Sequence, residues 1–169
     1  MAVPSIGNNE ARVLNEEARR IAALLELARQ ESILDAQEMA LSIEADGYNF
    51  QLFDGQEWQP LQDDAVLRPR KLPDDMELEV RVEGQLAEAL KKVSTTVAAD
   101  QPPAEDDAKA AAEKKKRQEE ETRLARIFLL SSGEATPFEI VVRYVHKEGG
   151  YRIVGNALGE FSVAAMEGL

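Results

Sequence analysis

The chain has 169 residues, 44% of them hydrophobic and 31% charged, enough for one compact domain with a modest core. Asp and Glu outnumber Lys and Arg by 32 to 20, and the net charge of −12 repels phosphate backbones and anionic lipid surfaces. The absence of cysteine excludes disulfides, thiolate metal sites and cysteine nucleophiles, and the single histidine, His146, excludes a histidine-rich metal centre.

From about Glu10 to Leu34 the apolar residues recur at helical spacing. Leu14, Ala18, Ile21, Leu25 and Ala28 follow steps of four and three, and Leu24, Leu27 and Leu34 widen the stripe. Arg12, Glu16, Arg19, Arg20, Glu26 and Gln30 fall mainly on the other side, with Glu16 and Arg20 spaced for an i,i+4 ion pair. The spacing predicts a long amphipathic helix over about 8–36, with one face to bury against the sheet that follows. That stripe is also the candidate contact for a partner helix, so Leu14, Ala18, Ile21, Leu25 and Ala28 are the candidate partner-contact residues.

The period then changes to two. Met39, Leu41 and Ile43 alternate with smaller or polar residues, and Tyr48, Phe50 and Leu52 resume the alternation after Asp46-Gly47. Asp-Gly between alternating runs signals a hairpin turn that needs positive φ, and Asp54-Gly55 repeats the device before Trp58. Pro60, Pro69 and Pro73 punctuate an irregular connection, and Met76, Leu78, Val80 and Val82 then form a half-buried strand. Residues 93–122 combine turn composition with a run rich in Ala, Lys and Glu that has no apolar stripe, which reads as a mobile charged insertion. Strand patterning returns at Leu124–Leu130, at Phe138–Tyr144, after the Glu148-Gly149-Gly150 turn at Tyr151 and Ile153, and near Phe161–Val163. The expected architecture is a single α+β domain over 1–169, with a helix packed on a mainly antiparallel β-sheet built from about 38–83 and 124–165.

No catalytic constellation emerges from this order. Ser131-Ser132-Gly133 has the look of a nucleophile or anion loop, but a serine needs a positioned base, and His146 lies beyond the next strand. The loop also lacks repeated glycines, a lysine and a following helix, so it reads as a hairpin connection. Asp63-Asp64 and Asp74-Asp75 match neither the ligand spacing of a calcium loop nor the separation of a glycosidase pair, and read as solvated loop charge. Trp58 reads as a core anchor. The basic runs Arg68–Lys71 and Lys114–Arg117 read as solvated surface, and no cofactor or metal is expected.

Several ordered motifs nevertheless carry a resemblance. Ala22-Ala-Leu-Leu-Glu-Leu-Ala-Arg-Gln-Glu-Ser-Ile-Leu34, the hairpin through Gly47-Tyr48 and Phe53-Asp-Gly55, Trp58-Gln-Pro-Leu61, Leu67-Arg-Pro-Arg-Lys-Leu-Pro73 and the Phe128-to-Phe138 turn resemble the H-type minor pseudopilins of type II secretion systems. The resemblance covers about residues 3–83 and 124–163. It implies a pilin-like fold and a non-enzymatic role, as a low-abundance subunit linking the I, J and K-type minor pseudopilins at the tip of a periplasmic pseudopilus to the major G-type subunit. It also implies an inner-membrane anchor ahead of Val3, namely a prepilin-peptidase site, N-terminal methylation and an apolar helix of about 20 residues. A minor pilin of a type IV pilus is the alternative reading. DNA binding is not expected, because the tail from Gly159 to Leu169 has no Lys or Arg and carries Glu160 and Glu167.

Overall fold

A computed structural model describes residues 6–83 and 125–167, together with the helical residues Lys109, Ala112 and Glu113; most of the charged stretch read as mobile lies outside the described residues. Helix α1 runs from Ile6 to Leu34. Its stripe is spent inside the chain: Leu14, Ala18, Ile21, Leu25 and Ala28 are all at most 1% exposed. A leucine buried to that degree contributes about 1.5–3 kcal/mol, so the helix face is a principal source of stability.

The helix ends on a specific cap. Ala36 adopts φ 52°, the Gln37 N–H reaches the Ser32 carbonyl at 3.1 Å, and the Ala36 N–H reaches the Ile33 carbonyl at 3.4 Å. This pair of bonds is the Schellman closure, which reverses the chain into the first strand.

Among the described residues nine strands follow: β1 (Met39–Ile43), β2 (Gly47–Phe53), β3 (Trp58–Pro60), β4 (Arg70–Lys71), β5 (Met76–Val82), β6 (Ala125–Leu129), β7 (Phe138–Tyr144), β8 (Gly150–Gly155) and β9 (Phe161–Met166). They form two antiparallel sheets rather than one. The first has the order β3-β2-β1-β6, with β4 also pairing β2, and the second has the order β5-β7-β8-β9. The two are interlocked, since β5 from the first half of the chain joins the later strands and β6 from the second half joins the earlier ones. Sequence patterning shows that each strand has an apolar face but not which strand it pairs with, so the division into two sheets was not legible.

Both sheets turn their apolar faces to α1. Leu41, Tyr48, Phe50, Ile127 and Leu129 from the first sheet share one core with Phe138, Ile140, Val142 and Ile153 from the second. The helix is therefore the common wall of both sheets, which is the α+β, helix-on-antiparallel-sheet architecture.

Two turns differ from the expectation in an informative way. Gly47 does not have positive φ; it is needed because a Cβ there would lie 2.2 Å from the Arg70 carbonyl oxygen, where β4 closes against β2. The segment Ser131–Gly133 is a turn closed by a single antiparallel bridge between Leu129 and Ala135, but the two strands it joins belong to different sheets, β6 to the first and β7 to the second.

Candidate assembly surface

Several of the residues that hinted at chemistry have structural roles. Ser131 donates its backbone N–H to Glu38 Oε2 at 2.9 Å and its hydroxyl to Glu38 Oε1 at 2.7 Å, which pins the inter-sheet corner to the residue preceding β1. Ser132 donates its hydroxyl to Glu134 at 3.1 Å in an exposed turn. His146 follows β7 whereas Ser132 precedes it, so the seven residues of β7, about 24 Å of strand, separate base from hydroxyl. Asp64 Oδ1 accepts the backbone N–H groups of Leu67 at 2.6 Å and Val66 at 2.7 Å, and these two bonds hold its carboxyl below the usual carboxylate range. Asp63, Asp74 and Asp75 are exposed, and among the described residues no three His, Cys, Asp or Glu side chains gather as a metal site. Arg68 and Arg70 donate to the carbonyls of Ala65 and Val66, shaping their own loop. Trp58 stacks between Phe53 at 5.2 Å and Phe128 at 5.4 Å, bridging β3 to β6 across the face of the first sheet away from α1.

The helix stripe proposed for partner contact is covered by the chain's own sheets. A partner reaching Ile21 or Leu25 would first have to displace the core, and the side of α1 left exposed is the opposite one. There Arg12, Glu16, Arg19, Ala23 and Gln30 are exposed. The ion pairs differ from the expected one: Arg12 meets Glu16 at 2.5 Å, while Arg20 turns to Glu17 at 2.5 Å.

Glu17 is the residue that sequence reasoning missed. Its side chain is 3% exposed and faces the sheet, where it accepts the Tyr48 hydroxyl at 2.9 Å and the Arg20 guanidinium on its other oxygen. Burial, followed by the neighbouring Glu17 charge, pushes the Tyr48 phenol well above its ordinary range. The signal was present in the sequence: Glu17 lies three residues from Leu14 and four from Ile21, on the apolar stripe itself. Two further tethers fix the upper helix to the second sheet, as Asn15 donates to the Tyr151 hydroxyl at 3.0 Å and Lys147 pairs with Glu10.

The face of the second sheet away from α1 is ionic. In register, Glu77 lies opposite Arg143, Glu79 opposite Val141 and Arg81 opposite Glu139. Arg143 meets Glu77 at 2.7 Å and Glu79 at 3.7 Å, and Arg152 meets Glu139 at 3.7 Å. Three arginines thus balance three glutamates on one face of a strongly acidic chain. These exposed pairs add little stability but leave the face locally neutral, where another acidic protein meets least repulsion.

A long helix serving as the wall of two antiparallel sheets, held to them by polar tethers, defines a pilin-like fold. Solved structures share this architecture. The chain is similar to two structures of the minor pseudopilin EpsH from the type II secretion system of Vibrio cholerae, one at TM-score 0.61 and 18% identity over 93% of this chain and 97% of that one, the other at TM-score 0.57 and 19% identity over 92% and 97%. It is similar also to the solution structure of Escherichia coli GspH, at TM-score 0.55 and 16% identity over 98% of this chain and 96% of that one. The type II secretion system protein H of Aeromonas hydrophila is 36% identical over 75 residues, 43% of this chain and 41% of that protein. The chain thus matches less than half the length of that curated relative. The family model described as "Type II transport protein GspH" matches residues 17–159, and the chain belongs to this family of minor pseudopilins. The family is one of structural subunits rather than of enzymes.

Proposed function

We propose that this chain is the periplasmic domain of a membrane-anchored H-type minor pseudopilin, and that it joins the tip subunits of the I, J and K types to the major G-type subunit. The observation that carries the reading is the division of labour on α1. One face is locked to both sheets by Leu14, Ala18, Ile21, Leu25 and Ala28, while the opposite, charged face stays open along the helix. A helix held in this way is a rigid spine that presents a defined surface to neighbouring spines. Among the described residues no helix is long and apolar enough to cross a membrane, so an anchoring segment would lie outside them.

Co-purification with the soluble domains of the I, J, K and G-type pseudopilins tests the reading. Retention with at least one tip-type domain and with the G-type domain is the expected result. Binding to none of the four would overturn the linking role and leave family and fold standing.

A further inference from the structure

Strand β9 is a sheet edge whose own sequence carries none of the usual protection. It pairs with β8 without a bulge from Gly155↔Phe161 to Gly150↔Met166, and among the described residues nothing pairs its other side. Its sequence, Phe-Ser-Val-Ala-Ala-Met, contains no charge and no proline. The other edges are managed: β5 carries Glu77, Glu79 and Arg81, β3 is three residues long and ends in Pro60, β4 has two residues, and β6 carries Arg126. Natural sheets blunt their edges by such devices, and an edge without them is a template for another strand.

The helix forms a second wall beside this edge. Asn15 touches Tyr151, which lies in register with Ala165, and the Arg29 side chain packs against Gly159, just before β9. Helix and strand therefore run alongside each other in opposite directions, with 14 residues of helix, about 21 Å, flanking the six of β9, about 20 Å. Between these two contact points Arg19 stands on the helix surface, exposed, hydrogen-bonded through Nε to Asn15 at 2.6 Å and paired with no carboxylate among the described residues. A cation with no carboxylate partner among the described residues, beside a strand of uncharged side chains, specifies what should lie there.

We propose that an extended segment of a neighbouring subunit adds to the second sheet along β9, with a carboxylate on that segment meeting Arg19. Main-chain hydrogen bonds to alternate β9 residues supply the docking, and the Arg19 ion pair selects acidic over basic strands. Assigning the strand to another pseudopilin rests on the function proposed above; the chemistry of the edge does not.

The edge itself is tested by NMR titration of the isotope-labelled chain with a short blocked peptide alternating Val or Thr with Glu, at low salt. Amide shifts confined to 161–166, together with the Arg19 side chain, are expected. Arg19→Glu should weaken the peptide by at least about threefold, the scale of one exposed ion pair. Absence of shifts, shifts centred elsewhere, or equal binding of the same peptide with Lys in place of Glu would overturn the proposal. So would the same shifts arising on concentration of the chain alone, because a second copy would then occupy the edge. The subunit assignment is tested by placing Ser162→Glu and Ala164→Glu, both at exposed positions and repelling an acidic strand, in the co-purification assay. Loss of a pseudopilin that the unaltered chain retains supports it, and full retention sinks it while leaving the linking role intact. Should no pseudopilin bind the unaltered chain, the linking role fails and the peptide titration still decides the edge.

Discussion

Removing one oxygen atom tests how the helix is registered on the sheet. Tyr48→Phe keeps a ring that is 2% exposed and deletes only the hydroxyl that donates to Glu17 at 2.9 Å. Glu17 keeps Arg20, but that partner is 48% exposed while the carboxylate is 3% exposed, so one buried oxygen loses its donor. A hydrogen bond to a charged group of this kind contributes about 1.5–3 kcal/mol. For a domain of this size the corresponding fall in Tm is about 3–12 °C by calorimetry. Alkaline pH supplies an independent reading. Burial and Glu17 raise the phenol's pKa in the folded state, so the unfolded tyrosine ionises first. The resulting stability is present in full below about pH 10 and is lost as pH rises toward the folded value. Between pH 10 and 11 the original chain should lose about 1 kcal/mol more than Tyr48→Phe, since only the former carries this group. A loss on Tyr48→Phe below about 0.5 kcal/mol, or parallel alkaline curves for the two chains, would refute the argument that Glu17 and Tyr48 form a buried lock.

The remaining predictions concern backbone geometry. Ala36 holds φ 52° at the position where helix caps favour glycine, so Ala36→Gly should stabilise by about 0.5–1 kcal/mol in denaturant melts. Gly159 has φ 76°, and a Cβ there would lie 2.5 Å from the Gly133 carbonyl oxygen and 2.7 Å from Arg29 Cδ. Gly159→Ala should therefore cost about 2 kcal/mol or more, read as a lowered denaturation midpoint.

How much of this was legible follows from the range over which each signal acts. The stripe from Leu14 to Ala28 and the alternation from Met39 to Ile43 are local periodicities, and the helix-on-sheet architecture could be read from them. Which strand pairs with which is a long-range choice: β1 lies against β6 across more than eighty residues, Ile43 opposite Ala125. Nothing in either strand's own pattern records that partner, so the turn at Ser131–Gly133 was legible but the change of sheet across it was not. Gly47 shows the same limit in miniature. Its Asp-Gly context suggested a conformational need, whereas the requirement comes from Arg70, twenty-three residues away. Glu17 was readable in principle, but a carboxylate on an apolar stripe becomes meaningful only once Tyr48 is seen opposite it. The apolar stripe that attracts attention in the sequence is the part the chain buries against its own sheets.

The tethers along α1 also determine how the subunit bears load. Glu10 and Asn15 tie the start of the helix to the second sheet, Glu17 ties its middle to the first, and the Ser32 hydroxyl reaches the Leu130 carbonyl near its end at 3.3 Å. A thrust along the helix axis is resisted by all of these at once, together with the buried stripe, so that the fastenings act in parallel. Prising the helix away from one end would instead load them one after another. The fold is therefore stiff to pushing along its spine and far weaker to peeling.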